Sequence, residues 1–161
     1  MQPRLGIYIH IPFCASKCGY CDFYSCAGAA ERMAEYQQAL LEHIEESAGR
    51  IAPAYIDTVY FGGGTPSFYG AARLIELLDA VKATGRLLKR AEVTVEVNPD
   101  SVRLHDLRAL RKAGFNRLSL GMQAAVDLQN CFQHGCLAGA RGACDDGKIV
   151  AIGCIHSRFL F

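Results

Sequence analysis

Three cysteines stand close together near the start of the chain, at positions 14, 18 and 21. Their spacing is C-x3-C-x2-C, and thiolate is the ligand that iron–sulfur clusters use most. Three thiolates on one short loop can hold three irons of a four-iron cluster and leave the fourth iron open to a further ligand. We therefore take Cys14, Cys18 and Cys21 as candidate metal ligands.

Two other interpretations of these cysteines stay open at this point. The spacing Cys-x2-Cys also suits tetrahedral zinc. A zinc site would need a fourth ligand, and neither Cys26 nor His10 completes a usual zinc spacing. The thiols could also be unliganded in a reducing compartment. We expect His10, on a predicted strand, to be packed and hydrogen-bonded rather than to bind metal.

A glycine run and a carboxylate are further candidates for a ligand site. Gly62, Gly63 and Gly64 remove side chains where a ligand could approach the backbone, or where the chain simply turns tightly. The lysine that marks a phosphate-binding P-loop does not follow them. Glu96 ends another predicted strand. Its carboxylate could accept hydrogen bonds from ribose hydroxyls, or pair with a nearby arginine.

Hydrophobic periodicity predicts that strands and helices alternate along the chain. The first helix carries one apolar face, and Gly49 follows its end as a stop signal. The strand before Asn98 is rich in β-branched residues. The predicted strands cover residues 6–11, 56–61, 92–97 and 117–120, and the predicted helices cover residues 31–47, 71–82 and 102–113.

This alternation is typical of a parallel α/β fold. Every candidate group follows a predicted strand, and in parallel barrels functional groups collect at the C-terminal ends of the strands. Groups far apart in sequence would therefore meet at one edge. The predicted fold class is α/β, a partial parallel (β/α) barrel with about four β/α units.

Composition limits the class of protein. Of 161 residues, 51% are hydrophobic and 20% charged, which indicates a globular chain. The 17 basic and 16 acidic residues nearly balance, so we expect no nucleic-acid partner. No signal peptide or membrane-spanning stretch is visible. Eight cysteines without a secretory signal favour metal ligation in a reduced cytoplasm over disulfides.

Four motifs occur in one order along the chain: YIHIPFC at 8–14 leading to CDF at 21–23, FGGGTPS at 61–67, EVNP at 96–99 and LSLGMQ at 118–123. Together they resemble the radical S-adenosylmethionine (SAM) superfamily. Within it they resemble the oxygen-independent coproporphyrinogen oxidase group. The resemblance covers roughly residues 5 to 123 and implies the same barrel that the periodicity predicts.

The resemblance also implies cofactors, partners and residue roles. A [4Fe–4S] cluster would bind SAM at its open iron, and reduction would cleave SAM to a deoxyadenosyl radical. The implied partners are heme or a porphyrin and an electron donor. Heme is also a candidate cofactor. The cluster ligands would be Cys14, Cys18 and Cys21, and the implied cofactor-binding residues are Tyr8, Tyr20, Gly63, Gly64, Thr65, Glu96 and Gln123. Tyr8 could instead pack in the core.

Within this group the chain is most similar to the HemW-like branch, which comprises heme chaperones. The oxidases carry a further cysteine two places after the third cluster cysteine, where this chain has Phe23, preceded by Asp22. Three functions are therefore weighed: a HemW-like protein that handles heme, an oxidase that decarboxylates propionates to vinyl groups, and a zinc-binding structural module.

The pattern stops after about residue 124. We therefore divide the chain into residues 1–124, the N-terminal part of a radical SAM core, and residues 125–161, a divergent tail. The last 31 residues hold four cysteines and show no clear period. We expect a truncated or frame-shifted version of a longer protein, with a genuine divergent tail as the alternative. Four strands would leave an open edge, so we expect weak folding or association.

Overall fold

A computed structural model describes residues 3–19 and 21–121. Strands and helices alternate through most of this part, joined by short turns. Two single 3-10 turns cover Ala30–Arg32 and Pro99–Ser101. The strands are β1 (Arg4–Ile11), β2 (Phe13–Cys14), β3 (Cys26–Ala27), β4 (Tyr55–Gly63), β5 (Arg86–Val97) and β6 (Arg117–Leu120). The helices are α1 (Met33–Glu46), α2 (Ala48–Ile51), α3 (Pro66–Tyr69), α4 (Ala71–Thr84) and α5 (Leu104–Ala113).

The main sheet has four parallel strands in the order β1-β4-β5-β6. Each strand is joined to the next by a helical crossover, which is the connection that parallel pairing requires. All four strands therefore run in one direction, and their C-terminal ends lie at one edge. A second, two-stranded sheet pairs β2 with β3 inside the cysteine loop.

Alternation along the strands separates an apolar face of the sheet from a polar one. The apolar face packs against α4 and α5 and forms the core. Its buried strand residues are Ile9, Ile11, Val59, Phe61, Val93, Val95, Val97 and Leu120, which join Leu74, Leu77, Leu78, Val81, Leu107 and Leu110 of the helices. The other face carries Tyr8, His10, Thr58, Tyr60, Glu92, Thr94, Glu96, Arg117 and Ser119.

The predicted fold class is confirmed, with differences in detail. The four predicted strands and three predicted helices are present in the predicted order. The stop signal assigned to Gly49 is wrong, because α1 ends at Glu46 and Gly49 lies in the short helix α2. The third main strand begins at Arg86 rather than at residue 92, since the segment before the predicted strand also pairs with β4.

No helix in residues 3–19 or 21–121 is long and apolar enough to cross a bilayer. Buried polar side chains in residues 3–19 and 21–121 all have a hydrogen-bond partner.

The prediction of weak folding or association remains a prediction. The predictions for residues 125–161 lie outside the described part of the chain.

Candidate metal and cofactor site at the sheet edge

The cysteine loop is closed across its base. Phe13 and Cys14 pair with the returning residues Cys26 and Ala27, and the amide of Cys26 donates to the carbonyl of Pro12 at 2.6 Å. Cys14 therefore lies at the fixed base of the loop. The second and third cysteines lie on the excursion between the two paired segments, where a turn forms through the amide of Cys21 and the carbonyl of Cys18 at 3.1 Å.

Two side chains tie the returning part of the loop to the sheet and to its outgoing part. His10 Nε2 donates to the carbonyl of Tyr24 at 2.9 Å, so Nδ1 accepts from the hydroxyl of Tyr8 at 3.0 Å. Lys17 Nζ donates to the carbonyl of Phe23 at 2.8 Å. Both ring nitrogens of His10 are thus satisfied within the chain, as predicted for a packed histidine.

The three thiols fit an iron–sulfur cluster in chemical kind. All three are free, with Cys18 exposed and Cys14 and Cys21 partly exposed. Within the described residues, no three His, Cys, Asp or Glu side chains are grouped closely enough to hold a single metal ion. A cube binds each thiolate through a different iron, so its ligands need not converge on one point. The described residues offer no preformed zinc site.

Gly64 and Thr65 connect the glycine run to the cysteine loop. The amide of Gly64 donates to the carbonyl of Ile11, and the amide of Thr65 to the carbonyl of Phe13, both at 2.8 Å. The Thr65 hydroxyl lies 3.5 Å from Cys14 Sγ. A Cβ added to Gly64 would lie 2.8 Å from the Phe13 carbonyl oxygen and 2.9 Å from Cys14 Sγ. Glycine is required here because the cysteine loop occupies the space.

Gly63 connects the same run to Glu96. Its φ of 123° lies in the region that favours glycine, and an added Cβ would meet the ring of His10 at 2.7 Å. Its amide donates to Glu96 Oε2 at 3.1 Å, while the hydroxyl of Tyr60 donates to Glu96 Oε1 at 2.7 Å. The carboxylate is therefore held by these two donors, and Arg117 on the same face contacts Glu92 instead.

The predicted groups meet at one edge, as the parallel topology requires. The cysteine loop, the glycine run and Glu96 are in direct contact, and the amide of Gly121 donates to the carbonyl of Val97 beside them at 3.0 Å. Tyr8 lies on the polar face with 58% of its surface exposed, so it does not pack in the core. Tyr20 and Gln123 lie outside the described residues.

Tyr60 belongs to the site although the sequence analysis did not identify it. It stands two residues before Gly62 on β4, and its ring stacks on Tyr8 with the centroids 6.0 Å apart. Alternation from the glycine run could have placed it on this face. Burial, followed by the hydrogen bond and the charge of Glu96, raises the pKa of Tyr60 to about 12.

Comparison with known families gives one clear match. Residues 8–134 match the family described as the radical SAM superfamily. This range contains the three loop cysteines, the glycine run and Glu96.

Individual relatives agree with that match. The chain is 41% identical over 128 residues to the heme chaperone HemW of Mycobacterium tuberculosis, covering 78% of this chain and 33% of that protein. It is 39% identical to HemW of Escherichia coli, and the match covers 76% of this chain and 32% of that protein. It is 33% identical to the oxygen-independent coproporphyrinogen III oxidase of Salmonella typhimurium, and the match covers 74% of this chain and 26% of that protein.

A solved structure shares the fold. Coproporphyrinogen III oxidase (HemN) from Escherichia coli, described as a radical SAM enzyme, superposes with a TM-score of 0.75 at 27% identity. The superposition covers 86% of this chain and 35% of that one. The chain thus spans between about a quarter and about a third of the length of these relatives.

The raised pKa of Tyr60 predicts a loss of stability at alkaline pH. The phenol is neutral up to about pH 12 in the folded chain but ionises near 10.0 when unfolded. Its contribution to the free energy of unfolding is therefore complete below pH 10 and disappears as pH rises toward 12. Denaturant unfolding between pH 8 and 12 should show a steeper loss for the wild type than for Tyr60→Phe. Parallel curves would contradict the burial of this phenol against Glu96.

Proposed function

We propose that this edge of the sheet binds a [4Fe–4S] cluster and SAM, because the chain belongs to the radical SAM superfamily. Cys14, Cys18 and Cys21 would hold three irons of the cluster. When bound, such a cluster supplies an open iron and the electron for reductive cleavage of SAM. The protein's own residues hold both groups and limit side reactions.

The observation that carries this proposal is the contact of one backbone turn with two candidate binding groups. The turn from Gly63 to Thr65 contacts the base of the cysteine loop on one side and Glu96 on the other. A ligand held by Glu96 would therefore lie next to the thiols. A structural zinc module would give no reason for a carboxylate, a glycine turn and three thiols to meet.

The chain's residues would divide the work by their chemistry. Glu96 offers acceptors for hydroxyl groups, and Tyr8 offers an exposed aromatic surface on the same face. Gly63, Gly64 and Thr65 would contact SAM beside the cysteines, as the family resemblance implies. Tyr20 would shield the cluster, and Gln123 would supply a further contact, as the family resemblance implies.

The substrate class that we propose is heme or a porphyrin. Two lines support it: the HemW relatives are named heme chaperones, and the oxidase relatives are named for a porphyrinogen. Heme-handling in the manner of HemW is favoured by Phe23, which stands where the oxidases carry a cysteine and exposes 69% of its surface beside the loop. A cellular electron donor and a cytoplasmic location complete the proposal.

The alternative is a coproporphyrinogen oxidase, supported by the match to the Salmonella enzyme and by the shared fold. Two assays on the anaerobically reconstituted protein separate the readings. We expect added heme to give a saturable shift of its absorption band, and coproporphyrinogen with SAM and a reductant to give no vinyl product. Vinyl product would show that the chain is an oxidase and not a chaperone. The absence of both the heme shift and the vinyl product would contradict the porphyrin proposal.

Cluster binding predicts a specific dependence on three of the cysteines. After anaerobic reconstitution with iron and sulfide, we expect about four irons per chain and a broad absorption band in the visible region. Replacing Cys14, Cys18 or Cys21 with Ala should remove most of the band, because each would deprive one iron of its ligand. Cys26→Ala is the matched control, since Cys26 is also free and exposed.

An equal loss in the Cys26→Ala control would point to adventitious iron and contradict the assignment of ligands. Zinc in the purified protein, with no iron band after reconstitution, would favour the structural module. Metal analysis by mass spectrometry separates these outcomes from the expected one.

Gly64 predicts a second effect on cluster uptake. In Gly64→Ala the new methyl group would meet the Phe13 carbonyl oxygen and Cys14 Sγ, so the base of the loop must shift. We expect less iron per chain than in the wild type, with helical circular dichroism retained. Gly19→Ala is the control within the same loop, because an added Cβ there meets nothing within 4 Å. Equal iron uptake by the two variants would contradict the packing described for Gly64.

A further inference from the structure

Tyr60 makes a contact that the family motifs do not explain. Its hydroxyl donates to Glu96 Oε1 at 2.7 Å across the β4–β5 pair. The acceptor is the carboxylate that we propose to bind SAM, so Tyr60 acts on the site without belonging to any of the four motifs. A hydrogen bond to a charged group is worth more than one between neutral groups.

Gly62 makes room for this contact. A Cβ added to Gly62 would lie 2.6 Å from Cε1 of Tyr60 and 3.2 Å from Glu96 Oε1. The tyrosine ring therefore lies over the α-carbon of the first glycine in the run, and reaches the carboxylate through that gap. The absence of a side chain at Gly62 therefore makes room for Tyr60 of the same chain.

The two donors hold Glu96 by both of its oxygens. Tyr60 binds Oε1, and the amide of Gly63 binds Oε2 at 3.1 Å. A carboxylate oxygen has two acceptor positions, so one on each oxygen stays available. Two available acceptors on a fixed carboxylate match two neighbouring hydroxyl groups, the arrangement found on the ribose of a nucleoside.

We propose that Tyr60 is a positioning residue that orients Glu96 to receive the ribose hydroxyls of a nucleoside ligand. This inference rests on the proposed function, in which SAM supplies that ribose. Removing only the phenol oxygen frees one oxygen of Glu96 and lets the carboxylate rotate. The ring of Tyr60 still packs on Tyr8 in such a variant, and the phenol loses its hydrogen bonds to Glu96 and to Ser119.

A double-mutant cycle tests this by the binding of SAM to the reconstituted protein, measured by anaerobic calorimetry. We expect Tyr60→Phe to raise the Kd about tenfold, the scale of one hydrogen bond to a charged group. In a Glu96→Gln background the same change should have little further effect, because Tyr60 acts through the carboxylate. Gly62→Ala, which displaces the tyrosine ring, should resemble Tyr60→Phe.

Tyr55→Phe is the matched control, because Tyr55 lies on the same strand at the opposite end. It should leave the Kd unchanged. Additive losses in Tyr60→Phe and Glu96→Gln, or no loss in Tyr60→Phe, would overturn the positioning role while leaving the proposed function intact. A wild-type protein that takes up its cluster but does not bind SAM would overturn both.

Discussion

The site depends on one backbone turn, from Gly63 to Thr65, that is bonded on two sides. Toward β1, two amides of the turn donate to the carbonyls of Ile11 and Phe13. These two hydrogen bonds hold the first cysteine of the loop beside the end of the sheet. Toward β5, the amide of Gly63 donates to Glu96. No side chain longer than that of glycine fits where the turn meets the loop, since Phe13 and Cys14 already occupy the space. Cys14, at the base of the loop, and the carboxylate of Glu96 are thereby held in one fixed relation.

The parallel sheet is what allows so small a turn to join distant parts of the chain. Residues 14, 64 and 96 are far apart in sequence, yet each follows or ends a strand that runs in the same direction. Burial of the apolar face against α4 and α5 fixes the register of these strands. Stability on one face of the sheet therefore maintains the geometry of polar groups on the other.

Much of this could be predicted from the sequence, because periodicity reports the elements and the topology then brings their ends together. The four strands, three helices and the meeting of the cysteines, glycines and Glu96 follow from residue patterns alone. The prediction that Gly49 marks the end of the first helix is wrong, because a glycine without a steric or positive-φ requirement can lie within a short helix. The pairing of residues 13–14 with 26–27 was not predicted, because two-residue strands carry no period.

The individual tasks of the glycines could not be predicted, because they depend on contacts between strands. The sequence suggests that all three glycines either admit a ligand or form a tight turn. In the structure, Gly62 admits the ring of Tyr60, Gly63 lies against His10, and Gly64 lies against the cysteine loop. Tyr60 was missed for the same reason: a tyrosine on a strand indicates packing, and only its cross-strand distance to Glu96 shows a polar role.

We propose that three cysteines hold a cluster with an iron left open beside Glu96. The most direct measurement is the electron paramagnetic resonance spectrum of the reconstituted, reduced protein, recorded with and without SAM. We expect the signal of a reduced [4Fe–4S] cluster whose shape and position change when SAM is added, because SAM would bind the open iron. A cluster signal that SAM leaves unchanged would contradict the open iron, and with it the joint site formed by the cysteine loop, the glycine turn and Glu96.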